Sequence, residues 1–149
     1  GQSLSQLYVH LIFGTKNRTQ WLGNDIREAL NAYLVGILQN QDCPSVITRA
    51  VADHVHILLR QARTAALAKV VEEVKKSSSK WIKSQPGQAA VFAWQRGYGA
   101  FSVSASMGPA VVAYIEGQEE HHRRQTFKEE YLAFLKRHDV AYDERYLWD

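Results

Sequence analysis

Between Leu7 and Gly14 the chain alternates, with Val9, Leu11 and Phe13 on one side and Tyr8, His10 and Ile12 on the other. Successive strand residues point to opposite faces, so this stretch predicts a strand covered on both sides. Thr15-Lys16-Asn17-Arg18 follows as a basic loop. Asn24 or Asp25 is then placed to cap a helix through about Leu38, with Ile26, Leu30, Leu34 and Ile37 as its buried stripe. Cys43-Pro44 restarts the chain. Val46 to Val51 and His54 to Arg60 are two β-rich runs parted only by Ala52-Asp53, which favours an antiparallel hairpin with Asp53 at the turn.

From Thr64 or Ala65 to about Ser84 the period becomes helical. Ala66, Val70, Val74 and Trp81 are available for burial, and Lys69, Lys76, Lys80 and Lys83 lie in one stripe. Gln85-Pro86-Gly87-Gln88 breaks that helix. Trp94 to Ser104 predicts the last strand, where Gly97 and Gly99 allow a bulge or a close approach. Gly108-Pro109 opens a helix to about Arg124. Phe127 to about Arg137 forms another, with Phe127, Tyr131, Phe134 and Leu135 on one side. The tail from Tyr142 to Trp148 is aromatic and is expected to dock.

The order β, α, β, β, α, β, α, α points to an α+β fold: a ferredoxin-like (RRM-like) four-stranded antiparallel sheet with helices on both faces. The first and third strands would be central neighbours, turning Val9, Leu11, Phe13, Val55, Ile57 and Leu59 toward the first two helices. His10, His54 and His56 would then face the opposite side, where the Pro109 helix is left to meet them.

The chain has 149 residues, 46% hydrophobic and 22% charged. This fits one domain spanning 1–149, its core about 7–125 and a C-terminal helix and tail about 127–149. A single cysteine, Cys43, excludes an internal disulfide framework and fits a reducing compartment. No apolar run approaches the ~20 residues that span a bilayer, and no basic-then-apolar leader precedes the first strand, so a cytoplasmic location and no membrane partner are expected. Residues 1–115 carry +6 and residues 116–149 carry −3. A basic body of this kind makes a polyanionic partner plausible.

Chemistry concentrates in Asp53-His54-Val55-His56. Two residues apart on one strand, His54 and His56 share a face about 6.6 Å apart along the chain. An HxH pair serves equally as a metal-binding pair or as hydrogen-bonded core. On the Pro109 helix, Tyr114 and Gln118 are four residues apart and share a face. A phenol with a pKa near 10 is a poor nucleophile unless assisted by positive charge. A cation held by His54, His56 and the Gln118 oxygen would polarise a phosphodiester beside it. Such a neutral donor set binds a dication modestly; either Mg²⁺ or Mn²⁺ is expected to serve, Mn²⁺ at lower concentration. His10 should border this site through hydrogen bonding, and His121 and His122 lie one turn beyond Gln118. Lys16, Arg18, Lys76, Lys80 and Arg96 are candidate DNA contacts, and Trp94, Tyr98 and Phe101 could stack bases.

Together, Tyr8-Val9-His10-Leu11-Ile12-Phe13, Asp53-His54-Val55-His56-Ile57-Leu58, Lys75-Lys76-Ser77-Ser78-Ser79, Gly97 to Val103 and Tyr114 to His122 make the chain resemble the single-tyrosine HUH transposases. These are small insertion-sequence enzymes acting on single-stranded DNA, and the REP-associated tyrosine transposases are relatives. The resemblance implies that His54, His56 and Gln118 bind a divalent cation and that Tyr114 is the nucleophile, forming a 5′-phosphotyrosine and freeing a 3′-OH. It also implies a homodimer with a joined sheet and recognition of single-stranded DNA hairpins at element ends. The alternative is a non-catalytic single-stranded nucleic-acid-binding module, which usually presents aromatics on its open sheet face. Here that face presents histidines.

Overall fold

The computed structural model describes the whole chain except residues 89 and 123 and the side chains of 121 and 122, so His121 and His122 lie outside the described side chains. Four strands, β1 (Tyr8–Gly14), β2 (Ser45–Ala50), β3 (His54–Arg60) and β4 (Gly99–Val103), form one antiparallel sheet in the order β2-β3-β1-β4. This is the ferredoxin-like order, with β1 and β3 central. Register pairs Leu11 with Ile57 and Phe13 with Val55, while Ile12 lies opposite His56 and Gly14 opposite His54.

Helices α1 (Asn24–Asn40) and α2 (Leu67–Ser84) cover the first face. Ile26, Leu30, Leu34, Val70 and Val74 pack there with Leu11, Phe13, Val55, Ile57 and Leu59. Leu38 and Ile82 are fully buried, and Ile37 and Trp81 pack half-buried against the same core, Trp81 also stacking on Tyr33 with ring centroids 5.1 Å apart. Ala66 is the exposed residue before α2. Neither Asn24 nor Asp25 caps α1. Gly23 holds the cap position in extended conformation, and Asp25 sits in the first turn, where its charge favours the helix dipole.

The last strand is shorter than its pattern suggested. Trp94 keeps only a bridge to Thr15, and pairing resumes at Gly99. The reason is Lys75. Its ammonium donates to the carbonyls of Gln95, Arg96 and Gly97 at 2.8, 3.1 and 2.6 Å, turning three acceptors away from the sheet; burial pulls its pKa down to about 8. Trp94 and Phe101 are core residues, and Tyr98 packs against the first core beneath the Lys75 ammonium.

On the second face lie α3 (Gly108–Glu116), α4 (Gln118–His122) and α5 (Phe127–Arg137). The single helix expected from Pro109 to about Arg124 breaks at Gly117, whose N–H closes the α3 end onto the Ala113 carbonyl at 3.2 Å. Glycine loses the most backbone freedom in a helix, so a break there costs least. Thr126 caps α5 by accepting the Glu129 N–H, and Phe127, Tyr131, Phe134 and Leu135 cluster with Ile12 and Phe101. Of the tail, Leu147 and Trp148 dock against this cluster, whereas Tyr142 and Tyr146 are exposed.

Two glycines admit α5. A Cβ on Gly14 would collide with the Phe127 ring, and one on Gly99 would stand 2.8 Å from Tyr131 Cε1. Gly14→Ala is therefore expected to destabilise the fold by about 1–3 kcal/mol, read as a lower denaturant midpoint. Gly36→Ala, in the exposed interior of α1 with open space at its Cβ, should raise the midpoint, by about 1 kcal/mol or less.

Candidate metal and nucleophile site

β3 delivers His54 and His56 to the second face because its alternation sends Val55, Ile57 and Leu59 into the first core. Both imidazoles are fully buried. His54 Nδ1 donates to Asp53 Oδ1 at 2.8 Å, which leaves Nε2 facing into the site. A carboxylate behind a histidine fixes its tautomer in this way at metal centres. Asp53 thus serves the turn, where its carbonyl accepts the Thr15 N–H at 2.8 Å, and also aims His54. His10 Nε2 lies 2.8 Å from His56 Nδ1 and aims the second ring similarly. Burial, reinforced by His56, holds the His10 pKa down at about 3, so it is neutral and can donate or accept in this contact.

Across from the histidines, Gln118 Oε1 stands 3.4 Å from His54 Nε2, while its amide nitrogen reaches back to the Tyr114 carbonyl at 3.5 Å. The break at Gly117 has therefore not separated Tyr114 from Gln118.

The residue that draws the parts together is Glu130, which the sequence reading missed. Only 2% exposed, it places Oε1 at 3.0 Å from His56 Nε2 and 3.3 Å from His54 Nε2, and Oε2 accepts the Tyr114 hydroxyl. A signal for it existed. Glu130 lies three residues after Phe127 and four before Phe134, inside the apolar stripe of its helix. A carboxylate on a buried helical face requires a partner.

The charges follow from this packing. Burial opposes ionisation of Glu130, but hydrogen bonds and charge from His54 and His56 outweigh it and hold the carboxyl well below the usual range. Burial likewise opposes charge on His54, yet the hydrogen bonds it donates to Asp53 and Glu130 raise its pKa. Burial, then Glu130, pushes the Tyr114 phenol up, so at rest it keeps its proton.

The donors fit a divalent cation. His54, His56 and Glu130 offer ligand atoms within 4.8 Å of one another. Adjacent ligands of an octahedral ion at about 2.1 Å are about 3.0 Å apart, close to the spacings of Oε1 from the two imidazole nitrogens. Gln118 Oε1 is a fourth neighbour.

The candidate DNA contacts divide. Lys16 and Arg96 line one cleft of about 390 Å³ with Asn17 and Trp94, beside the end of β1 that pairs with His54. Arg18 is turned onto the Trp148 ring, 5.1 Å from its centroid. Lys76 and Lys80 are exposed on α2, across the sheet from the histidines.

The family model described as "Transposase IS200 like" matches residues 3–118, more than half of the chain. The chain belongs to the IS200-like transposase family. Two solved structures are similar to this transposase. A candidate transposase from Deinococcus radiodurans is 26% identical with a TM-score of 0.62, covering 79% of this chain and 95% of that one. A REP-associated tyrosine transposase bound to a REP hairpin is 13% identical with a TM-score of 0.60, covering 82% of this chain and 72% of that one, and shares the fold. A comparison with curated proteins returns no match. The family region of this transposase includes His54, His56, Tyr114 and Gln118, and ends twelve residues before Glu130. No helix among its described residues is long and apolar enough to cross a membrane.

Proposed function

We propose that this transposase cleaves and rejoins single-stranded DNA at element ends through Tyr114. The observation that carries the reading is the shared carboxylate: the Tyr114 hydroxyl and the Nε2 atoms of both histidines meet on Glu130, which sets a nucleophile beside a metal-binding group in one buried cluster. His54, His56 and Glu130, with Gln118 alongside, would hold Mg²⁺ or Mn²⁺. The ion would supply Lewis-acid polarisation of the phosphodiester. Asp53 and His10 keep both rings aimed at it. The Tyr114 oxygen attacks phosphorus, the bond to the 3′ oxygen breaks, and a 5′-phosphotyrosine and a free 3′-OH result. Attack by a new 3′-OH reverses the step without ATP, because the phosphodiester energy is retained in the covalent bond. Lys16 and Arg96, which share one cleft, would help to guide the strand.

Hairpins are the substrate to try first, since a neighbour of the same fold is described as bound to one. The expected result is a covalent protein–oligonucleotide adduct on a denaturing gel with Mn²⁺ and single-stranded hairpins from the element ends, lost in Tyr114→Phe. No wild-type adduct, or an adduct that persists in Tyr114→Phe, defeats the mechanism. Mn²⁺ should support the adduct at lower concentration than Mg²⁺, since imidazole suits it better.

A homodimer also belongs to this reading, with each site built in cis, because the Tyr114 hydroxyl reaches the carboxylate that His54 and His56 of the same chain contact. Mixing Tyr114→Phe with His54→Ala is then expected to give no adduct. Recovery of activity in the mixture would place tyrosine and histidines on different subunits.

A further inference from the structure

We infer that Glu130 is a catalytic residue that takes the proton of Tyr114 as its phenol attacks. The inference rests on the reading above and adds the step that the two histidines, Gln118 and Tyr114 leave unassigned. A phenol cannot attack phosphorus at neutral pH while it keeps its proton. A base within hydrogen-bond reach of the hydroxyl is required.

The two oxygens of Glu130 are divided in the way such a base needs. Oε1 faces the imidazole nitrogens at 3.0 and 3.3 Å, and Oε2 faces the Tyr114 hydroxyl. With a cation on the imidazoles and Oε1, Oε2 is still aimed at the phenol. The surroundings hold this geometry. Glu130 sits between Phe127 and Phe134 on α5; the Phe127 ring stacks on His54 at 4.3 Å, and the Phe134 ring packs edge-on to Tyr114 at 5.7 Å. The carboxylate is thus buried between two docked rings, 2% exposed. It lies on α5, twelve residues beyond the end of the family region.

The step balances. The Tyr114 oxygen forms its bond to phosphorus and passes its proton to Oε2. The bond to the 3′ oxygen breaks with its electron pair, and that oxygen is protonated from solvent on its far side. Glu130 then releases its proton to solvent, leaving the proton count unchanged. On rejoining, the incoming 3′-OH gives its proton to solvent, and Glu130, reprotonated from solvent, returns one to the departing phenolate.

The test is single-turnover adduct formation at saturating Mn²⁺ in Glu130→Gln and Glu130→Asp, with Mn²⁺ affinity followed by electron paramagnetic resonance. Glu130→Gln should weaken Mn²⁺ by about ten to a hundredfold. At saturating Mn²⁺ it should still slow the adduct by about 10² to 10⁴, with hairpin affinity unchanged. Glu130→Asp keeps the charge but loses reach, and should fall between. A fluorinated tyrosine at position 114, which ionises without a base, should restore most of the rate to Glu130→Gln. A purely structural carboxylate would not respond to it.

Adduct formation in Glu130→Gln at or above the wild-type rate, or no rescue by the fluorinated phenol, overturns the inference. Should Glu130→Gln not fold, a wild-type rate in Glu130→Asp overturns it equally. In each case the wild-type adduct and its loss in Tyr114→Phe still stand or fall separately.

Discussion

Replacing His54 and His56 together by alanine is expected to lower adduct formation by about 10³ or more and to abolish stabilisation by Mn²⁺. The first figure reflects the several kcal/mol that Lewis-acid polarisation contributes to phosphoryl transfer, at about 1.4 kcal/mol per tenfold in rate. The second follows from mass action. An ion at a hundred times its Kd stabilises the folded protein by about 2.7 kcal/mol, and a protein without its imidazole donors gains far less. Melting curves with and without Mn²⁺ check the second, and the denaturing gel checks the first. Retention of the Mn²⁺ shift in the double variant would move the cation away from β3. His10→Ala should act more mildly, since His10 aims His56 through one hydrogen bond.

Glu130→Ala is expected to destabilise the metal-free protein strongly near pH 5.5 and much less at high pH. The raised pKa of His54 gives a contribution present below the ordinary histidine pKa of 6.5 and lost as pH rises through the folded value. The depressed pKa of Glu130 gives one present above the ordinary value of 4.5 and lost as pH falls through the folded value. Between about 4.5 and 6.5 both hold in full. Removing the carboxylate there breaks a buried ion pair with His54, a loss of about 3–5 kcal/mol. Once His54 is neutral, less is lost. Urea unfolding in chelator at the two pH values measures the difference, and an equal loss at both would show that packing, not charge, is what Glu130 provides.

The sheet was legible because each strand carries its own alternation. Val9, Leu11 and Phe13 against Val55, Ile57 and Leu59 define one inner face, so His10, His54 and His56 had to share the other. The α5 stripe was legible for the same reason. Less legible were features set by contacts between elements. The start of β4 depends on Lys75 drawing three carbonyls from another element, and no window around Trp94 contains that lysine. Trp81 packs against the core as its spacing predicts, but its stack on Tyr33 of another helix is not written in the α2 pattern. The Pro109 helix reads as continuous because its apolar period runs through Gly117, and local backbone preference decided the break. Glu130 is hidden for a different reason: it stands inside the apolar stripe of Phe127, Tyr131, Phe134 and Leu135, and the histidines it meets lie 74 and 76 positions earlier in the chain.

The two glycines under α5 reach further than packing. A glutamate side chain spans a fixed length, so whether Glu130 touches both imidazoles depends on how closely its helix axis approaches the sheet. Gly14 and Gly99 lower that helix by leaving room for the rings of Phe127 and Tyr131. Phe127 is three residues before Glu130 and Tyr131 is next to it. Two absent methyl groups thus act as a spacer gauge for the donor set. A bulkier residue at either position would change which ions fit, and would lengthen the gap between phenol and base, with no chemically active residue substituted.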